Sequence, residues 1–411
     1  MVGKVVKEGI AMQAEGTPVD SPTRRILLVV LFNLLIYIDI GLPMAVIPVF
    51  VHRTLLYSAT VAGLAISLQY FATFAFRPSA GQRTDRIGPK PVVVAGLALG
   101  VVSGTLLMLA GFLAAWPVLS LALLAGSRVI LGWAESWTAT AVIYWNIRRV
   151  GSANTAQAIS WNGVCSYGGI ALGAPVGELL SHLSHPFGGV TTVGLLSLLL
   201  PAFGLSVIWA YDNVQPTVSK RPLMKFTDVF KRVFPHGAAL ALGSIGFGAI
   251  SSYLALYYAA MRWGGAADAL AAFGAVFVLV RFVLSRQIGR FGGTRVAVVS
   301  LVVEAVGLMM LWRSGSSTAA AMGAAITGAG FSLVFPALGV LAVDRAGPEN
   351  RGAALGAFSV FLDLAIGFSG PALGLVAEYG GYPPLFLLAG ACSVGGAIVS
   401  QALGRPAARR R

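Results

Sequence analysis

Residues 81–90 read Gly81-Gln82-Arg83-Thr84-Asp85-Arg86-Ile87-Gly88-Pro89-Lys90. An apolar run over residues 58–76 ends shortly before this stretch, and another over 91–114 starts directly after it. Each is long enough to cross a membrane, which takes about 20 apolar residues in a helix. The charged stretch then reads as a short connection between two spans. Working outward, similar runs cover 26–50, 117–145, 156–180, 190–210, 236–260, 265–284, 295–313, 318–343, 353–377 and 382–403. With the first two they make twelve. They are apolar all round and too long for barrel strands, so they read as helices. Charged residues make up 11% of the 411 positions, against roughly 25% in an ordinary soluble domain. That is too few to coat two or three soluble domains, and it excludes a disordered chain and a cytosolic enzyme. Cys165 and Cys392 both lie in apolar runs and give neither a disulfide framework nor a metal-ligand spacing.

The net charge of +14 could suggest nucleic acid, but the basic residues are scattered between the runs. Of 29 Lys and Arg, 25 fall in alternate connections and the two tails, counting Arg77 and Arg281 as connection residues. Arg53, Arg262 and Arg313 occupy the opposite connections, and Arg128 lies inside the fourth run. The excess of positive charge on one side predicts that both termini are cytoplasmic. Residues 1–25 lack a signal-peptide pattern and are expected to form a disordered cytoplasmic tail, with the first span as an uncleaved anchor. Residues 405–411 read as a basic cytoplasmic tail. The longest interior polar stretch, Asp212 to Pro235, carries Lys220, Arg221, Lys225, Lys231 and Arg232. It divides the chain into bundles of six spans, 26–211 and 236–404, joined by a cytoplasmic linker at 212–235.

The two halves echo each other. Arg77, Arg86 and Gly88 recur 204 positions later as Arg281, Arg290 and Gly292. Gly169, Gly173, Pro175 and Gly177 in span 5 have counterparts in Gly367, Gly370, Pro371 and Gly374 of span 11. Parallel six-helix repeats are the architecture of a rocking transporter with its site at the midplane.

The stretch 81–90 resembles the signature loop of the major facilitator superfamily, Gly-x-x-x-Asp-Arg-x-Gly-x-Lys/Arg. Arg128-x-x-x-Gly132 is similar to that family's second motif. The span-5 run Gly169-x-x-x-Gly173-Ala-Pro175-x-Gly177 resembles the motif of its proton-driven exporters, with one extra residue before the proline. Asp39-x-x-x-Pro43-x-x-x-x-Pro48 resembles the span-1 motif of multidrug exporters. The runs Ser160–Gly163 and Gly328–Gly339 are similar to bacterial inner-membrane efflux permeases of the YhhS/YfcJ type. The resemblance implies an all-α membrane fold of twelve helices in two pseudo-repeat halves, located in a bacterial inner membrane. It implies a transporter rather than an enzyme. The second-half counterpart of the loop departs from the pattern, with Ser285 and Gly289 where Gly and Asp would stand.

Ionisable groups inside spans cost about 2.5–3.5 kcal/mol on insertion scales, so they are functional candidates by default. Asp39 lies halfway along span 1. Removal of water makes its charge costly, so it could take and release a proton as a cavity opens to either side. Pro43, one turn on, lacks an N–H and loosens the helix there. Arg128 and Glu135 are seven residues apart and so project from nearly the same face of span 4. In that arrangement the Arg could hold either the carboxylate or an anionic substrate. Asp39, Glu135 and Arg128 are therefore the expected proton-coupling set. Asp363, before a Gly-Pro break in span 11, and Glu304 in span 9 are further candidates, with Glu304 leaning to a structural role. Asp85 is expected to pair with Arg148 or Arg149, or to cap a helix of the other half, holding an outward-facing state. Arg86 flanks it, and Gly81 and Gly88 permit a tight turn. Tyr37, Gln69, Tyr70, Trp137, Asn162, Tyr257 and Phe331 are candidate cavity residues. His182 and His185 lack the further ligands of a metal site. With no phosphate-binding Gly-x-x-x-x-Gly-Lys-Ser/Thr loop, an ion gradient is the expected driving force, and no cofactor is expected. The expected partners are the bilayer, protons and a small-molecule substrate, not nucleic acid, and a monomer is expected. These features favour proton-coupled efflux of small organic compounds. The alternatives are an uptake symporter for a small organic anion, with Arg128 as counter-ion, and, more remotely, an integral-membrane enzyme.

Overall fold

The structure is a computed structural model describing residues 22–151, 154–183, 189–214, 226–346 and 351–404. Twelve helices of 19 to 36 residues run through them. We label these α1 (Pro22–Gly41), α2 (Ala59–Ile87), α3 (Pro89–Phe112), α4 (Pro117–Val150), α5 (Thr155–Leu183) and α6 (Gly189–Val207). The second half holds α7 (Phe226–Met261), α8 (Ala266–Leu284), α9 (Gly293–Trp312), α10 (Ser317–Ala346), α11 (Arg351–Gly380) and α12 (Pro383–Gly404). There is no strand among the described residues. Ten of the twelve are long and apolar enough to cross a membrane. The other two are α1, which carries Arg24, Arg25 and Asp39, and α5, which is rich in glycine and small polar residues.

The boundaries differ from the sequence reading in instructive ways. Helix α1 is described from Pro22 and α7 from Phe226, so residues 226–235 of the expected linker are helical. Residues 1–21, 215–225 and 405–411, with most of the expected tails and Lys220, Arg221 and Lys225, lie outside the described residues, as does His185. The first apolar run is broken. Helix α1 stops at Gly41, residues 42–46 turn, and a short helical piece resumes at Ile47 before a wide turn over Phe50–Thr54. Pro43 and Pro48 cannot donate to the ladder, which accounts for the interruption. By contrast, α5 and α11 run unbroken through Pro175 and Pro371, so no helix break follows Asp363. A transmembrane helix tolerates a proline where neighbouring helices re-satisfy the freed carbonyls.

Glycines set the helix spacing, because close backbone approach is the main packing device where lipid is as apolar as leucine. A Cβ on Gly173 would meet Ile38 O at 2.5 Å, and one on Gly177 would meet Leu42 O at 1.8 Å. The span-5 stripe thus seats α5 on α1 inside the first half. The matching stripe in α11 does something else. Gly370 approaches Ser67 Oγ and Gly374 approaches Thr60 Cα, so α11 seats on α2 across the halves.

The halves meet along α2–α11 and α5–α8. Toward the end opposite residues 81–90 they are tied by hydrogen bonds. Thr60 N donates to Glu378 Oε1 at 3.0 Å and Ala267 N donates to Glu178 Oε2 at 2.8 Å. Arg53 Nη2 donates to Ala259 O, and Tyr253 OH lies 3.4 Å from Ala59 O.

Candidate functional site

Deep between these two contacts lies a polar cluster built from both halves. Glu135 on α4 is 4% exposed and accepts three hydrogen bonds. Tyr37 OH donates to Oε1 at 3.0 Å, while Gln69 Nε2 and Thr73 Oγ1 donate to Oε2 at 3.1 and 2.9 Å. Gln69 and Thr73 stand one turn apart on α2, so both reach the same carboxylate. Close contact between α2 and α4 allows this, since a Cβ on Gly132 would lie 2.1 Å from Gln69 O. One turn further along α2 is Arg77. Its Nε and Nη2 grip the two oxygens of Asp363 on α11, the second bond at 3.0 Å. The side chain of Arg77 is 22% exposed and that of Asp363 is 2% exposed. A two-pronged charge-assisted bond therefore joins α2 of the first half to α11 of the second, with its Arg77 end part-exposed. Both ions act electrostatically on Glu135.

Sequence reasoning misplaced two of these groups. Arg77 read as a connection residue because the run 58–76 ends beside it, and Arg281, near the end of the run 265–284, was counted with the connection that follows. Both instead sit on the helices α2 and α8. The 204-residue repeat was the available signal, since it marked both as recurring at one structural position. Thr73, Tyr167 and Phe277 carried no such mark.

Arg128 does not pair with Glu135 directly. Gln69 stands between them: its Oε1 lies 3.4 Å from Arg128 Nη1 while its amide donates to Glu135. Asp39 is placed differently from the expectation. It is fully buried, and neither carboxylate oxygen has a hydrogen-bond partner among the described residues. Its electrostatic neighbours are Arg128 and Ser197, of α4 and α6, so it faces the interior of its own half rather than the junction. The interruption after Gly41 turns the chain just beyond it. Glu304 is also fully buried without a hydrogen bond, in a niche bounded by Gly243 and Gly246 of α7.

The candidate cavity residues divide. Tyr37, Gln69 and Tyr70 belong to the cluster, with Tyr70 buried beside Glu135 and Asp363. Phe331 stacks on Phe247 at 5.6 Å and faces Tyr167 of the other half at 6.2 Å. Asn162 is buried on α5, its Oδ1 unbonded. Two are not at the junction. Trp137 donates to Ser79 Oγ at 2.9 Å under Arg83, within the first half. Tyr257 bonds Ser314 at 2.9 Å and packs on Phe386, within the second. A cavity of about 500 Å³ lies at the end opposite residues 81–90, with Arg53, Glu178, Tyr258 and Trp263 in its wall, and contains none of the cluster.

Asp85 and Arg86 are exposed, and among the described residues Asp85 pairs with neither Arg148 nor Arg149. Gly81 does not make a turn. Helix α2 continues through it to Ile87, with open space around it. The turn is made at Gly88 alone, whose φ of +85° suits glycine. No cluster of His, Cys, Asp and Glu suited to a metal occurs among the described residues.

Two six-helix halves meeting around a buried ion-pair cluster define a transporter of the multi-pass helical class. The chain belongs to the Major Facilitator Superfamily, whose model matches residues 29–286 and 264–410. It is 47% identical over 387 residues to an MFS-type transporter of Burkholderia mallei (strain SAVP1), covering 94% of each chain. It is 44% identical over 396 residues to one of Pseudomonas aeruginosa (strain LESB58), covering 96% of this chain and 97% of that one. In fold it is similar to the human organic anion transporter MFSD10, with a TM-score of 0.71 at 16% identity over 92% of this chain and 100% of that one. It is likewise similar to the nucleoside transporter NupG, with a TM-score of 0.73 at 14% identity over 93% of this chain and 100% of that one.

Proposed function

We propose that the chain is a proton-coupled exporter of small organic compounds, working by alternating access in a bacterial inner membrane with both termini cytoplasmic. The observation that carries this is the placement of Glu135 against the ion pair that joins the halves. An intramembrane carboxyl that can gain a proton at such a junction can link its charge to the arrangement of the halves. Neutral Glu135 leaves Arg77 wholly to Asp363. Ionised Glu135 competes for the same guanidinium and loosens the cross-half grip. Glu135, with Tyr37, Gln69 and Thr73 as its holders, therefore takes the proton role, and Arg128 acts on it through Gln69. Asp39 meets this set only through Arg128 and is not assigned the proton.

Among the described residues, the hydrogen bonds between halves lie at the Arg77–Asp363 pair and toward the end opposite residues 81–90, which the distribution of basic residues makes the outer end. The unpaired Asp85 fits an inward-facing arrangement, in which its latch has been released. Everted vesicles with an imposed proton gradient test the coupling. Substrate addition is expected to release protons from the vesicle interior, and a substrate that moves without proton release would refute antiport.

A further inference from the structure

The repeat that relates Arg77 to Arg281 also relates their partners. Helices α5 and α11 carry matching prolines, Pro175 and Pro371, 196 positions apart. The matching glycines are 197 to 198 positions apart, so the counterpart of Asp363 falls on the stretch Cys165–Tyr167, in which there is no carboxylate. In the first contact a guanidinium on α2 meets a carboxylate on α11. In the second, the guanidinium of Arg281 on α8 meets α5, where its electrostatic neighbour is the phenol of Tyr167. The symmetry is kept in position and broken in charge.

Arg281 is 8% exposed. It makes no ion pair and no hydrogen bond among the described residues. Its guanidinium lies 5.2 Å from the centre of the Phe277 ring. It also rests on the bare backbone of α5, where a Cβ on Gly163 would come within 2.5 Å of Nη1. A buried cation without a counter-charge is costly, and structures that keep one usually pair it. The aromatic ring softens this cost without supplying a negative charge. Beside the guanidinium is a cluster of packed rings drawn from both halves, with Phe277 and Phe331 buried. Tyr167 and Phe277 are 3.9 Å apart between centroids, and Phe331 lies 6.0 Å from Phe277.

We infer that Arg281 is the anchor for the anionic group of the transported compound, and that the substrate class is small aromatic organic anions. The guanidinium fork suits a carboxylate, sulfonate or phosphate head, and the Tyr167–Phe277–Phe331 cluster takes the ring. The neighbour that α5 gives Arg281 is a phenol, Tyr167, not a carboxylate, and this leaves that charge available. This inference rests on the transporter reading and names its substrate. It does not depend on proton coupling or on direction.

The test is ligand-induced thermal stabilisation of the purified full-length transporter in detergent, with no gradient present. The probes are benzoate, benzenesulfonate and phenyl phosphate, with benzamide as the uncharged control. At least one anion is expected to raise the melting temperature of the wild type, and benzamide is not. Arg281→Gln is expected to weaken binding of that anion at least tenfold. Tyr167→Glu rebuilds the charge pattern of the first contact, and should lose anion binding because its new carboxylate occupies Arg281. Arg281→Lys, which keeps charge but loses the fork, should bind more weakly than wild type and more tightly than Arg281→Gln. Failure of all three anions to stabilise the wild type would overturn the inference, as would unchanged anion binding in a folded Arg281→Gln or Tyr167→Glu. Failure of the vesicle experiment alone would overturn proton coupling and leave this result standing.

Discussion

Asp363→Asn removes the charge that holds Arg77 across the halves while keeping one acceptor oxygen in place. Breaking a buried ion pair by removing one partner costs about 3–5 kcal/mol. Two features of this pair lower that figure. The Arg77 side chain is 22% exposed, so water compensates part of the loss, and the remaining amide oxygen can still accept one of the two bonds. A cost of about 2 kcal/mol follows. Because the pair joins α2 to α11 rather than two helices of one half, the cost falls on the joined arrangement and not on either bundle. At 1.4 kcal/mol per tenfold, the ratio of joined to separated halves should fall roughly 30-fold. Spin labels at Thr54 and Tyr379, both exposed at the outer end of opposite halves, report this in a background where Cys165 and Cys392 are replaced by Ala. The inter-label distance distribution, measured by double electron–electron resonance, should gain a longer component in Asp363→Asn. The double variant Arg77→Gln/Asp363→Asn leaves no unpaired charge, so it should return toward the wild-type distribution. The reasoning is refuted if the single variant keeps the wild-type distribution, or if the double variant shows the summed effect of both singles.

Other expectations follow from the same geometry. Glu135→Gln should abolish substrate-induced proton release in everted vesicles while substrate counterflow persists. Asp39→Asn should retain proton release, although the span-1 motif alone argues the reverse, and loss of release in that variant would return Asp39 to the pathway. Gly177→Val should destabilise the first half by about 1–3 kcal/mol through overpacking, since even a Cβ there meets Leu42 O at 1.8 Å. A lowered melting temperature by intrinsic fluorescence checks this. Asp85→Ala should favour the inward-facing state and slow transport, seen as greater labelling of single cysteines on the cytoplasmic side. An unchanged labelling pattern would exclude a latch at Asp85.

Much of the architecture was legible without coordinates, because a bilayer imposes simple rules on sequence. Hydrocarbon thickness fixes span length, and unsatisfied backbone groups force helices, so twelve apolar runs translate directly into twelve helices. The repeat was readable for the same reason, since arginines recur 204 residues apart and the glycines of the fifth and eleventh spans 197 to 198 apart. The site was less legible. Runs of apolar residues mark where lipid is contacted, whereas a helix facing a polar junction keeps going after the apolar pattern stops. Helix α2 carries Arg77, Arg83, Asp85 and Arg86 before it ends at Ile87, and this hid Arg77 among the loop charges.

The sequence by itself determined the fold class, the two halves and the identity of the buried ionisable groups, because those depend on composition and interval. Only the tertiary structure decided which of them act together. Asp39 and Glu135 look equivalent in a one-dimensional reading, as carboxyls midway along cavity-forming spans. Their difference is one of helix rotation and of the breaks and glycine contacts that set it. The Gly173 and Gly177 contacts seat α1 on α5 so that Tyr37 faces Glu135, while Asp39, two residues on, turns toward Arg128 and Ser197 inside its own half. Two residues along a helix is about 200° of rotation, and that rotation separates a group at the junction from one buried behind it.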